Sequence, residues 1–374
     1  MNRFLKIALT VHVSILALNI IGCESLPTAP MPPAAPAAPT ATPAPSPTVT
    51  PVPAQTPSAA NLGGQPRLPY LPPQDTRIIV NAPAYRMDVY ENGRLIKSYR
   101  IGIGYPEYPL PAEERAADTI IFNPTWTPPD EPWVAASDKV AAGEKIEAGS
   151  ELNPLGLIKI PIKPPTLIHG GKRPQQLGRF ASHGCVGLTD RQVQDFAKTL
   201  ARLGGIELTD AQVAGYEKNR TKSEPLKLNQ PVPVELQYET MVVENGKLHL
   251  YRDVYRYGTN TLAKLSALLA AYGVPMDRLS PDERARLEPA LDRMARDSAN
   301  ARVETMTPEE REEWRQRRIQ SGRLTRTVKG QTEEVIEIAA LAGKGYPAPL
   351  VPPLPTPSPT PSPTPSPTPT PAGP

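Results

Sequence analysis

The sequence predicts a mainly β domain followed by a small helical module, the two framed by proline-rich tracts that cannot pack. Three observations carry this expectation. Between residues 76 and 258, short segments alternate apolar and polar residues and are separated by Asn-Gly turns. Beyond Gly258 the apolar spacing becomes helical. Finally, 50 prolines in 374 residues, against an average usage of about 5%, crowd into one tract near each end. A net charge of +3 gives no support for nucleic-acid binding through bulk electrostatics. The dense mixed charge of residues 277–335 reads as solvated helix faces.

From the amino end, Arg3 and Lys6 precede the apolar run Ile7–Leu18, the pattern of an export signal over residues 1–22. That run is short of the ~20 apolar residues that a membrane span takes. Ile20-Ile21-Gly22-Cys23 resembles a bacterial lipobox, which makes Cys23 the expected lipidation site. Glu24 in the next position, rather than Asp, points to the outer membrane, facing the periplasm. Residues 23–75, rich in Pro, Ala and Thr, have too little to bury to offset their ordering entropy, so a disordered tether is expected.

Strands are expected at Arg77–Val80, Met87–Tyr90 and Leu95–Ile103, the last two joined by the hairpin turn Glu91-Asn92-Gly93. Further strands are read at Ile120–Asn123 and Leu157–Ile160, among loops loaded with Pro and Gly. Thr189-Asp190-Arg191-Gln192 is a capping box, and Val193, Phe196, Ala197 and Leu200 form the apolar stripe of the helix it opens. Strands resume at Val232–Tyr238, Met241–Val243 and Leu248–Tyr251, with Glu244-Asn245-Gly246 as a second hairpin signal. These elements define a domain over 76–258, with a core at 76–200 and a β extension at 201–258. A helical module over 259–345 follows. Thr261–Tyr272 carries helical spacing, and Ser280-Pro281-Asp282-Glu283 and Thr307-Pro308-Glu309-Glu310 each open a helix. Residues 346–374 end in Pro-Ser-Pro-Thr repeats, an expected disordered tail.

Chemistry concentrates around one cysteine. Of four histidines, two approach Cys185 in sequence, as His169-Gly170-Gly171 and Ser182-His183-Gly184-Cys185. A thiol with an imidazole is the minimum apparatus for cysteine nucleophilic catalysis, the ring taking the thiol proton and returning it to a leaving amine. The glycines allow close approach of a carbonyl, and the N–H groups of Gly184 and Cys185 would form an oxyanion hole. Bland readings stand beside this one: a cysteine buried for packing, a His183 that only hydrogen-bonds backbone, and a zinc site of His169, His183 and Cys185. The last lacks a fourth ligand and the usual spacings, so no metal is expected.

Ser182-His183-Gly184-Cys185-Val186 with the upstream His169-Gly170 resembles the signature of the YkuD-type L,D-transpeptidases. Ile79-Val80-Asn81, Asn123-Pro124-Thr125-Trp126 and Asn153-Pro154-Leu155-Gly156 look like that family in the same order. The likeness covers about residues 76–200, and the strands up to Gly258 are similar to extensions in its Gram-negative branch. It implies a YkuD-like β-sandwich catalytic domain with a short helix after the cysteine, and no cofactor. It implies Cys185 as nucleophile attacking the third residue of a peptidoglycan tetrapeptide stem, His169 as proton donor and acceptor, and Ser182, His183 and Gly184 as geometric and oxyanion support. Gly170, Arg173 and Arg191 are the expected substrate-binding residues. The acceptor would be an amine of another stem or of an envelope lipoprotein. Two departures stand out. Gly187 occupies a place where the family commonly has Arg or Asn; if that side chain holds the substrate carboxylate, either Arg173, Arg179 or Arg191 substitutes for it or the substrate differs. Tyr105–Asp118 replaces a glycine-containing stretch on the acceptor side. Hydrolysis of the same thioester, as an L,D-carboxypeptidase or amidase, and a non-catalytic wall-binding lipoprotein are the alternatives.

Overall fold

The computed structural model describes residues 71–295, 306–328 and 330–350. The export signal, Cys23, most of the tether and the tail beyond residue 350 lie outside them. All described residues fall in the second of two compact units, Gly64–Pro374.

The chain first lays down β1 (Arg77–Asn81), β2 (Arg86–Glu91) and β3 (Arg94–Arg100) as an antiparallel meander. The tight turn between β2 and β3 works because Asn92 and Gly93 both take positive φ, 49° and 76°, which Asn and Gly tolerate best. The strand expected to continue to Ile103 breaks at Ile101. β4 (Ile103–Gly104) leaves the meander and pairs in parallel with β8 (Phe180–Ser182). β5 (Glu113–Phe122) starts earlier than its apolar residues suggested and stops before Asn123, whose φ is 47°. A short helix α1 (Pro132–Ala135) precedes β6 (Ile158–Pro161), β7 (Leu167–His169) and β9 (Val186–Gly187). Helices α2 (Asp190–Leu203) and α3 (Asp210–Lys218) lead into β10 (Glu224–Gln237). Thr189 caps α2 with the expected box, and Val193, Phe196, Ala197 and Leu200 are fully buried beneath it. At roughly 1.5–3 kcal/mol for each large side chain buried, this stripe is what holds α2 on the sheet.

Eight of these strands form one sheet in the order β3-β2-β1-β10-β5-β6-β7-β9. The class is mainly β, as expected, but the layers of the expected sandwich come from one curled sheet. Its two sides meet where Gly102, just past β3, exchanges two hydrogen bonds with Gly187 of β9, at 2.9 and 2.8 Å. Closure of this kind removes the unpaired edges that an open sheet would present. The core inside it is a single cluster running from Ile78 to Tyr255.

A second core lies beyond. The hairpin β11 (Met241–Glu244) and β12 (Lys247–Tyr251) pairs with β13 (Glu333–Glu337) in a three-stranded sheet. Met241, Val243, Leu248 and Leu250 pack with Leu265, Leu268 and Leu269 of α4 (Leu262–Ala271) and Leu287 of α5 (Pro281–Ala295). The hairpin grouped by sequence with the first domain therefore shares its core with the segment after Gly258, and that segment contains a strand as well as helices. The last helix, α6 (Pro308–Gln320), reaches back to the first domain. Glu107, fully buried, accepts from Arg318 Nε, from the Thr325 hydroxyl at 2.8 Å and from the Thr325 N–H at 3.0 Å. Among the described residues no helix is long and apolar enough to cross a membrane.

Candidate active site

β7 and β9 run parallel and adjacent, with Ile168 opposite Val186 and His169 opposite Gly187. Adjacent strands lie ~4.8 Å apart, so the histidine backbone stands beside a residue two positions beyond Cys185. The His169 side chain is only 3% exposed. Its Nδ1 is 2.8 Å from the Gly170 carbonyl. A carbonyl only accepts, so Nδ1 carries the proton and Nε2 keeps its lone pair. Burial, reinforced by the positive charge of Lys172, pushes the imidazole down to about 3. At neutral pH it is a neutral ring with Nε2 unprotonated.

Cys185 sits in the turn between β8 and β9 and is a free, half-buried thiol. Gly184 before it has φ +94°, a conformation that any side chain would strain. The Ser182 hydroxyl closes the turn, donating to the Cys185 carbonyl at 2.5 Å and accepting from the Cys185 N–H at 3.1 Å. That changes the oxyanion expectation: the Cys185 N–H is occupied by Ser182, while the Gly184 N–H has no partner among the described residues. The Cys185 Sγ lies 4.0 Å from the Pro165 carbonyl. Burial raises its pKa above the ordinary 9.0, with Lys172 and Arg115 among the groups opposing the rise. Thiol and imidazole both rest uncharged, so a nucleophile here is generated by proton transfer rather than stored as a thiolate.

His183 is held by rings rather than by backbone bonds. It stacks on Trp133 with centroids 4.1 Å apart and planes 11° apart, and it meets Tyr105 and Tyr108 edge-on at 5.1 and 4.9 Å. Its Nε2 is buried with no hydrogen-bond partner among the described residues. Burial, with Lys172 and Arg326, pushes this ring down to about 4. Tyr105 and Tyr108 belong to the stretch that departs from the family pattern, so that departure builds one side of the His183 box.

The asparagines of the Asn-Pro motifs prove to be braces away from the two histidines and the thiol. Asn123 Nδ2 reaches the carbonyls of Tyr216, Asn219 and Lys222 at 2.8–3.2 Å, tying β5 to the end of α3. Asn153 Nδ2 donates to the Pro124 carbonyl at 2.7 Å. Asp190, the first residue of α2, accepts the N–H of Gly171 at 2.8 Å and of Leu157 at 3.0 Å on one oxygen. A Cβ on Gly170 would stand 2.4 Å from that same oxygen.

Gly170 is buried against α2, and its carbonyl orients His169. Arg173 and Arg191 are both exposed, and neither lies over Gly187. The residue there is Lys172, which sequence reasoning passed over. An ideal Cβ on Gly187 would meet Lys172 Cγ and Cε at 2.7 Å and Cδ at 3.2 Å. No spacing in the sequence signals that contact. Asp190 was legible only as part of a cap, and Trp133 not at all.

The chain matches the family described as YkuD, L,D-transpeptidase catalytic domain, over residues 75–234. No curated protein matches it. Among solved structures it is similar to the catalytic domain of an Enterococcus faecium L,D-transpeptidase, with 17% identity over 44% of this chain and 98% of that one and a TM-score of 0.28. It is similar to an L,D-transpeptidase from Mycobacterium smegmatis, with 13% identity over 44% and 58% of the two chains and a TM-score of 0.28. For L,D-transpeptidase 3 from Mycobacterium tuberculosis the values are 13%, 43%, 60% and 0.25. The chain thus spans less than two thirds of the length of these two mycobacterial proteins. The family match over residues 75–234 runs from β1 into β10 and takes in both the His169 and the Cys185 loops.

Proposed function

We propose that this protein is a peptidoglycan L,D-transpeptidase in which Cys185 is the nucleophile and His169 the general base and acid. The observation that carries the reading is the register of β7 on β9, with the His169 Nδ1–H held by Gly170 so that Nε2 is the ring atom left to take a proton. In the first half-reaction Nε2 removes the Cys185 thiol proton as Sγ attacks the carbonyl carbon of the third residue of a tetrapeptide stem. The Gly184 N–H is the donor available to the oxygen that becomes negative. Collapse breaks the peptide bond, His169 returns its proton to the departing amine of the terminal D-alanine, and a thioester remains. In the second half-reaction an acceptor amine attacks the thioester, His169 takes a proton from it, and the thiol is re-formed on release. The acceptor is another stem or a lysine of an envelope lipoprotein.

Mass spectrometry of tetrapeptide muropeptides incubated with the purified protein tests this. Cross-linked product is expected, and none from Cys185→Ala. Trimmed stems without cross-links would establish hydrolysis instead, and unchanged stems would remove the enzymatic reading.

The same proposal places the protein at the outer membrane, facing the periplasm, through a lipid on Cys23, with the proline-rich segment after it giving reach. Palmitate labelling that persisted in Cys23→Ser would refute the anchor.

A further inference from the structure

Gly187 and Lys172 fit each other. Gly187 has no positive φ that would demand glycine, so its backbone accepts any residue. The space its side chain would take is filled by the Lys172 methylenes, and the Lys172 N–H donates to the Leu188 carbonyl at 3.0 Å. Residue 172 is thereby fastened to the residue just past β9, with its stem lying over Gly187, two residues past the thiol. The ammonium is felt at Cys185, His169 and His183 alike.

This cation has no carboxylate partner among the described residues. The other cation felt at the thiol, Arg115, is already committed: it pairs with Glu113 at 2.6 Å and donates to the Lys163 carbonyl at 2.6 Å. A partly buried charge without a counter-ion is costly, and burial does lower the Lys172 pKa. An anion arriving at Cys185 relieves that cost.

We propose that Lys172 binds the terminal carboxylate of the donor stem, reaching from its own loop into the place that a longer side chain at 187 would occupy. The inference rests on the acyl-transfer reading above, because it takes the donor to be a peptide cut one residue from its free carboxyl end. In such a donor the carboxylate lies one residue beyond the scissile carbonyl, within the span of a lysine stem anchored two residues from the thiol. A stem longer by one residue carries its carboxylate up to ~3.6 Å farther along the chain, away from the ammonium. Lys172 therefore selects tetrapeptide acids over both their amides and longer stems.

The test is equilibrium binding in a Cys185→Ala background, where no turnover interferes. The probes are a tetrapeptide stem ending in D-alanine, as free acid and as amide. The acid should bind about ten- to a hundredfold more tightly than the amide, as expected for a hydrogen-bonded pair of charged groups. Lys172→Met keeps the aliphatic filling and should abolish that preference by weakening the acid alone. Equal affinities in the parent, or a preference that survives Lys172→Met, would overturn the proposal. So would equal weakening of acid and amide, which would mean that Lys172 only shapes the loop.

A charge relocation provides the second variant. Gly187→Arg alone collides with the lysine stem and should weaken both probes, whereas Lys172→Ala with Gly187→Arg should recover the preference for the acid. Failure of the double variant to recover it, with the fold intact by circular dichroism, would count against the shared site. Turnover by the unmutated protein is scored separately, so loss of the acyl-transfer reading and loss of the Lys172 assignment give different results.

Discussion

Replacing Asp190 by alanine removes the single oxygen that gathers both loops around His169. It accepts from Gly171 at 2.8 Å and from Leu157 at 3.0 Å, and a hydrogen bond to a charged group is worth about 1.5–3 kcal/mol. The two bonds alone would give about 3–6 kcal/mol. Gly171 is exposed, however, and Leu157 half-buried, so water can replace part of what is lost. That lowers the expected cost to about 2–4 kcal/mol, a large share of the 5–15 kcal/mol by which domains are stable. Asp190→Asn keeps an acceptor but loses the charge and the favourable site at the N-terminus of α2, so it should cost about 1–2 kcal/mol. Urea unfolding measures both, with an unchanged slope expected if only native-state bonds are lost. In folded protein, the alanine variant should also slow acyl-enzyme formation, because the Gly170 carbonyl that fixes the His169 tautomer is no longer braced. A loss below about 1 kcal/mol for Asp190→Ala, or equal losses for the two variants, would refute this account of the site's rigidity.

Three further outcomes are expected. The protein should gain one drug mass on incubation with a carbapenem, Cys185→Ala should gain none, and His169→Ala should acylate about 10²-fold more slowly; if His183→Ala gave the larger loss, the two histidine roles would be exchanged. Stability should fall as pH drops from 7.5 towards 5.5, above the range where carboxylates titrate, because the unfolded chain then binds protons that His169 and His183, pushed down to about 3 and 4, refuse when folded; a urea midpoint that stays constant or rises over that window would contradict the burial of both rings. Glu107→Ala should cost about 3 kcal/mol, the low end for breaking a buried pair, since its partner Arg318 keeps 28% exposure; a change within about 0.5 kcal/mol, as at an ordinary surface site, would mean that the segment after α6 is not held through this carboxylate.

Sequence alone was most informative where one residue's own conformation or one helical turn decides the structure. Asn92-Gly93 and Asn245-Gly246 had to be turns because both residues of each pair take positive φ. Thr189, Ser280 and Thr307 announced helices through bonds three residues long. Thr209 caps α3 by the same box, yet it was missed because only Val213 of that helix is buried and no apolar stripe drew attention to it. The first half of β10 was hidden by Pro225, Pro231 and Pro233 and by the irregularity between Lys227 and Val232. β13 was hidden by its glutamates. The Cys185 and His169 loops were visible as motifs, but what surrounds them was not. The His183 box draws on Tyr105, Tyr108 and Trp133, and Gly187 is explained by Lys172, all contacts that exist only once β4, β8 and β9 have come together.

The place of β10 in the sheet also governs the order in which the protein can be made. β10 lies between β1 and β5, pairing with β1 in parallel and with β5 antiparallel. The nascent chain completes the β1–β3 meander early and every element of the candidate site soon after. Until Gln237 has left the ribosome, however, β1 and β5 each keep a bare edge, and the two halves of the sheet meet only through Gly102 with Gly187 and β4 with β8. Unpaired edges of that length invite association with other chains. A fragment ending near residue 200 would hold both His169 and Cys185 and still lack its middle, so expression of this domain needs residues through β10, and any pause in translation before them leaves the chain in its most aggregation-prone form.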